Sequence, residues 1–141
     1  MARPSISGMI AARKAFQALP EATREALLSA TEITAERVQF AAKQRVRRRY
    51  GFLAKHIAKS FSKRSGFAKV GVERASETTP QGAVVDPSRY AHLVEFGGVR
   101  LQAYPFMIPA AEQEKGPFLD RYKRAGKTIE RNVANIGMRN L

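Results

Sequence analysis

PEATREALLSATEITAERVQFAAKQRVRRR, residues Pro20–Arg49, is the longest stretch with helical character, and its reading decides the fold. After Pro20 it contains no further proline and no glycine. Pro20 suits a first helical turn, where the missing N–H has no partner to lose, and Glu21 and Glu25 suit the positive end of the helix dipole. Leu27, Ala30, Thr34, Val38, Ala41 and Arg45 recur at steps of three or four, with Ala26, Ile33, Phe40 and Val46 widening the stripe. The spacing predicts a helix of about 28 residues, about 42 Å long at a rise of about 1.5 Å per residue. Alanine on the apolar face admits close approach of a second element. Arg45–Arg49 complement the negative end of the dipole, and Gly51 reads as the stop signal.

Upstream, Met9–Leu19 form a shorter amphipathic segment that reads as helical, and residues 1–19 are expected to order only on assembly. Downstream, FLAKHIAKSF begins with helical spacing and turns towards a strand at Phe61. FAKVGVER (Phe67–Arg74) reads as a strand with one buried side, ETTPQG (Glu77–Gly82) as a turn, and Ala83–Val85 as a further short strand. SRYAHLVEF places Tyr90, Leu93, Val94 and Phe96 on one helical side, with Asp86 or Ser88 as the cap. Val99–Tyr104 is expected to be extended, and Pro109 to open a last helix that Gly116–Pro117 kinks or divides. Phe118, Leu119, Tyr122, Ile129, Val133 and Ile136 supply that helix's apolar face. These expectations combine into one α+β domain over residues 1–141, a long N-terminal helix and a C-terminal helix packed on a small, mainly antiparallel β-sheet.

The 141 residues carry 25 Lys and Arg against 12 Asp and Glu, a formal charge of +13, with no Cys. The hydrophobic share of 44% is enough for a packed core. No apolar run reaches the ~18 residues that cross a bilayer, and the absence of cysteine removes disulfide scaffolds, thiol catalysis and cysteine-based zinc sites. The charge is concentrated. From Arg37 to Arg74 twelve basic residues stand against Glu73 alone, a net +11 in 38 residues. The candidate interface is drawn from that block: Arg37, Lys43, Arg45, Arg47, Arg48, Arg49, Lys55, Lys59, Lys63 and Arg64. Such a block suits a polyanion or an acidic protein surface.

The catalytic inventory is thin. His92 and Glu95 form an i,i+3 pair, but no further ligand or nucleophile supports them at a usable spacing. Glu95, beside Phe96–Gly97, is more simply read as pairing with an arginine or with backbone donors at a turn. Gly97–Gly98 lacks the lysine and spacing of a phosphate-binding loop. The expectation is a protein that is not an enzyme and takes no cofactor and no metal.

Two motifs are distinctive: YAHLVEFGG (Tyr90–Gly98) and AYPFMIPAAEQ (Ala103–Gln113). Within them Tyr90, Ala91, Val94, Glu95, Phe96 and Gly97, then Pro105, Phe106, Pro109 and Ala110, resemble the "YA-x-x-VEFG" turn and the "PF-x-x-PA" helix opening of the tail-completion, or head–tail connector, family of long-tailed phages, the gene-ten-like family of the lambdoid Hong Kong phages. Ile6 and Gly8, Gly51 and Leu53, and Val70–Gly71–Val72 follow the family's order upstream. Arg49–Tyr50–Gly51 departs from it, because members often have a proline and a Thr-Gly there.

In physical terms Phe96, Phe106 and Met107 are expected to cover one edge of the sheet, and the prolines to fix the approach to the last helix. The resemblance implies a non-enzymatic virion protein of the head–tail junction, a minor tail or neck component that forms a ring, six-fold, joining the head-side connector or stopper to the tail terminator or tail tube. Double-stranded DNA would pass through its lumen without sequence recognition, and no membrane is involved. Assembly would take place in the bacterial cytoplasm. The loop residues Val99, Arg100, Leu101, Gln102 and Tyr104 are the candidates for contact with neighbours. The alternative is a basic, nonspecific nucleic-acid-binding protein that uses residues 37–74 as its phosphate footprint.

Overall fold

The computed structural model describes residues 10, 14 and 20–139, with side chains for all of these except 128–130 and 132–139. The segment helix expected over Met9–Leu19 and the ordering of residues 1–19 therefore lie outside the described residues, apart from positions 10 and 14. So do the side chains of Ile129, Val133 and Ile136.

Helix α1 spans Glu21–Arg45 and buries Ala30, Ala35, Ala41 and Ala42. These small side chains let it lie close along α4, Met107–Arg139, its main packing partner. Across that contact Arg121 donates to Thr34 Oγ1 at 2.9 Å and pairs with the buried Glu114 at 3.4 Å. Helix α1 is shorter than its sequence suggests. Val46 leaves it in an extended conformation (φ −65°, ψ 137°) and drops its side chain, 4% exposed, into the core. Only Lys43 and Arg45 of the basic run lie in the last turn, while Arg47–Arg49 follow on irregular chain. Gly51 is not the stop for this helix. With φ +77° it opens the next one, α2 (Phe52–His56), accepting the Lys55 N–H on its carbonyl.

Strand β1 (Ile57–Ser62) continues directly from α2 and pairs antiparallel with β2 (Phe67–Val72), in register from Ile57↔Val72 to Ser62↔Phe67. The hairpin lies on α1, where Gln39 Nε2 donates to the Ile57 carbonyl. Val70 and Val72 turn towards the core. A second, two-residue pair joins β3 (Glu77–Thr78) to β4 (Val84–Val85) around a turn closed by Gly82 N–H on Thr79 O. Glu77 is thus part of a strand and not of a turn.

Helix α3 (Pro87–Phe96) is capped by Asp86, whose carboxylate accepts the Ser88 N–H and hydroxyl. Helix α4 begins at Met107, two residues before the expected Pro109, and runs through Gly116–Pro117 without dividing. Pro117 forfeits one helix N–H. Phe118, beside it, lines a cleft with Thr34, Ala35, Val38 and Val70, and the packing of α4 along α1 sustains the helix.

The core gathers Ala41, Ala42 and Val46 from α1 and its exit, Leu53, Ala54 and Ile57 from α2 and β1, and Phe106 and Ala110 from the start of α4. Tyr90, Ala91 and Val94 close it from α3. The architecture is α+β, long helices at both ends of the described chain around small antiparallel pairs.

Candidate functional site

The last turn of α3 and the first turn of α4 meet through one side chain. Glu95 Oε2 accepts the backbone N–H groups of Phe106 at 2.8 Å and Met107 at 2.9 Å, while Oε1 accepts that of Ile108 at 2.8 Å. A helix start leaves such N–H groups unpaired and carries positive partial charge, so a carboxylate suits it on both counts. Burial pushes the Glu95 carboxyl up, but the donors from Met107, Phe106 and Ile108 outweigh burial and hold its pKa below the ordinary value of 4.5.

Gly97 (φ +76°, ψ −178°) lets the chain turn immediately after this clamp. A Cβ there would stand 2.8 Å from Leu101 O and 2.9 Å from Ala103 N. Gly98 and Leu101 then exchange backbone hydrogen bonds, and Tyr104 N–H returns to Val94 O at 2.7 Å. The expected extended run Val99–Tyr104 is therefore a tight, pinned loop with Val99 and Arg100 at its apex.

Both oxygens of Glu95 accept from backbone donors, and among the described residues no hydrogen bond or ion pair joins it to His92, an exposed residue. The i,i+3 pair forms no acid–base site. Of the other motif residues, Phe106 and Ala110 are buried, Tyr90, Ala91 and Val94 pack against the core, and Pro105 is exposed. Phe96 departs from expectation. It is 70% exposed and covers no sheet edge, because the glycine turn begins right after it and carries it outward.

A groove of about 390 Å³ opens beside the clamp. Its floor is apolar: Leu53 from α2, Val85 from β4, Tyr90 and Val94 from α3, Leu101 from the pinned loop. Arg47 and Arg49 stand on one rim. The Arg47 guanidinium lies 3.7 Å from the centre of the Tyr104 ring, and that of Arg49 lies 5.3 Å from the Tyr50 ring. Arg48, between them, turns back to donate to Lys43 O at the end of α1. Burial raises the Tyr90 phenol above its ordinary pKa, helped by the negative charges of Asp86 and Glu77. Residues from three separately expected sets meet here: the basic run, the first motif and the loop.

The rest of the basic block is dispersed. Arg37, Lys43 and Arg45 line another depression with the exposed Phe40, and Arg45 donates to Gln113 at 2.7 Å. Lys59 is paired with Glu36. Lys63 and Arg64 sit at the hairpin turn beside Glu21, Arg24 and Glu25. Lys55 and His56 both reach Glu77 Oε1, at 2.5 and 2.6 Å. Those two hydrogen bonds, Lys55 first, lower the Glu77 pKa. Sequence reasoning missed Glu77, although it is one of only two carboxylates between Arg37 and Val85. It also missed the Glu114–Arg121–Thr34 bridge between the long helices.

Among the described residues no group of three or more His, Cys, Asp and Glu side chains is placed to hold a metal ion. Nor is any helix among them long and apolar enough to cross a membrane. Residues 11–97, more than half of the chain, match the HK97-gp10-like family model, described as "Bacteriophage HK97-gp10, putative tail-component". The match ends at Gly97, so it takes in the first motif except Gly98 and stops before the second. No curated protein and no solved structure matches the chain at a significant level.

Proposed function

The chain belongs to the HK97-gp10-like family of bacteriophage tail components, and from that membership we propose that it is a non-enzymatic, single-domain protein of the head–tail junction. As a structural phage tail component it is a virion protein. In the proposed role it forms a closed, six-fold ring between the head-side connector or stopper and the tail terminator or tail tube, and the ring leaves a passage for double-stranded DNA. Such rings close through head-to-tail contacts, in which two different surfaces of one subunit meet those of its neighbours.

The observation that carries this reading is the amount of apolar surface without a partner on a rigidly fixed turn. Phe96 is 70% exposed, Val99 fully exposed and Leu101 48% exposed. A turn clamped by Glu95 and Gly97 holds these side chains out at no further ordering cost, which suits an assembly contact. The engagement of Glu95 with backbone donors supports a structural and not a catalytic role.

Nucleic-acid binding as the principal function is less well supported. The +11 block divides among several surfaces, and Lys55 and Lys59 already have carboxylate partners. Electron microscopy of lysates from phage lacking this gene tests the proposal. Filled capsids beside unattached tails are expected. Joined particles with intact necks would sink it.

A further inference from the structure

We propose that the groove between the Arg47–Tyr50 segment and the Gln102–Tyr104 loop receives a protein segment that carries an aliphatic or aromatic anchor next to a carboxylate. The partner's identity as a neighbouring virion protein rests on the junction reading above. The chemistry of the site does not.

The floor, formed by Leu53, Val85, Tyr90, Val94 and Leu101, is mainly apolar, with the Tyr90 hydroxyl as its polar side-chain group, so its occupant must bring apolar surface to bury. With a volume of about 390 Å³ it has room for one or two side chains. The rim supplies the second requirement. A guanidinium stacked on an aromatic ring engages that ring with its flat face and leaves the N–H edge for a planar acceptor. Arg47 is held on Tyr104 in this way. Neither it nor Arg49 is ion-paired among the described residues, and no Asp or Glu lines the groove. Two positive charges thus flank an apolar floor without an internal counter-charge. A carboxylate fits that edge, and the adjacent apolar side chain fits the floor. A phosphate backbone satisfies the rim but leaves the floor uncovered, so the site favours an acidic protein segment over DNA.

Fluorescence anisotropy with the full chain decides the matter. Three labelled probes are used: a dodecapeptide alternating Glu with Leu and Phe, the same peptide with Lys for every Glu, and a 12-base-pair duplex. The acidic peptide is expected to bind at least tenfold more tightly than the lysine peptide. R47E/R49E and L101D should each weaken it at least tenfold, whereas K63E/R64E, with the same charge change at the hairpin turn, should retain it. R47K/R49K keeps the charge but loses the stacked, forked donors, and is expected to fall between. Circular dichroism verifies that each variant is folded, and Leu101 is exposed enough to change without touching the core.

Equal losses in R47E/R49E and K63E/R64E would overturn the proposal, because net charge alone would then account for binding. Displacement of the peptide by the duplex, with L101D binding like the parent, would overturn it in favour of nucleic acid. Failure of the peptide to bind, together with an oligomer that L101D dissociates, would assign the groove to a second copy instead. Any of these results leaves the microscopy of gene-deficient phage to judge the junction role separately.

Discussion

The Glu95 carboxylate lies 2.8 Å from the backbone N–H of Phe106, eleven residues further on, so the end of one helix serves as the cap of another. This side chain ties the end of α3 to the start of α4, beside the Tyr104 N–H bond to Val94 O. Replacing it with alanine leaves the N–H groups of Phe106, Met107 and Ile108 without their acceptor. Glu95→Ala is expected to cost at least about 2 kcal/mol in urea unfolding. Glu95→Gln keeps one acceptor oxygen and should cost less.

The pH dependence of stability follows from three carboxylates. Glu95, Glu77 and Asp86 all have folded pKa values below their ordinary 4.5, 4.5 and 3.8. For Asp86 the Ser88 hydroxyl is the leading cause. A carboxyl with a depressed folded pKa binds its proton more weakly in the native state. Its stabilisation is complete above the unfolded value and is lost as pH falls through the folded one. Denaturation midpoints should therefore be steady from neutral pH down to about 5 and decline below about 4.5. The decline should be shallower in Glu95→Gln. A stability that rises on acidification would contradict the assigned clamps.

Two glycines separate backbone demand from mere absence of a side chain. Gly97 occupies a backbone region almost restricted to glycine, and an added Cβ would meet Leu101 O at 2.8 Å. Gly126 lies inside α4 with nothing within 4 Å of an added Cβ. Gly97→Ala is expected to destabilise by more than about 2 kcal/mol, and Gly126→Ala to stabilise by about 0.5–1 kcal/mol. Thermal melts of the two variants give the comparison directly.

The two motif phenylalanines should behave in opposite ways. Phe106 is 2% exposed in the centre of the core, so Phe106→Ala should cost about 3–5 kcal/mol. Phe96→Ser removes an exposed ring and should leave unfolding within about 0.5 kcal/mol of the parent. If the exposed turn is an assembly contact, Phe96→Ser should instead lower the yield of joined particles.

The features legible in the sequence were those that depend on near neighbours. The alanine stripe of α1 and the V-G-V strand follow from local spacing, and helix-end chemistry offered the Asp86 cap and the backbone donors of Glu95 each as one of two alternatives, between which the structure decides. The end of α1 did not, because Val46 is drawn out of the helix by burial with Phe106, sixty residues away. Gly51 changed from a stop to a start for the same reason. Pro117 reads as a breaker in isolation and is overruled by the packing of α4 along α1. The groove was illegible as a unit. Arg47, Val85, Val94 and Tyr104 come from four separate segments, and only the shared core brings them to one place. The basic block shows the converse. Its residues are contiguous along the chain, yet the alternation of helix, extended chain and hairpin sends them to different faces.

The short loop after Gly97 is fastened at both ends, by Val94 O and Tyr104 N–H on one level and by Glu95 and Phe106 on another. Its apex contributes nothing to the core. Substitutions at Val99 and Arg100 are therefore expected to leave the frame's shape intact, which in the proposed junction role would make the apex an exchangeable cassette. Matching to a new neighbour would then proceed by substitution of a few residues, insulated from the requirements of folding.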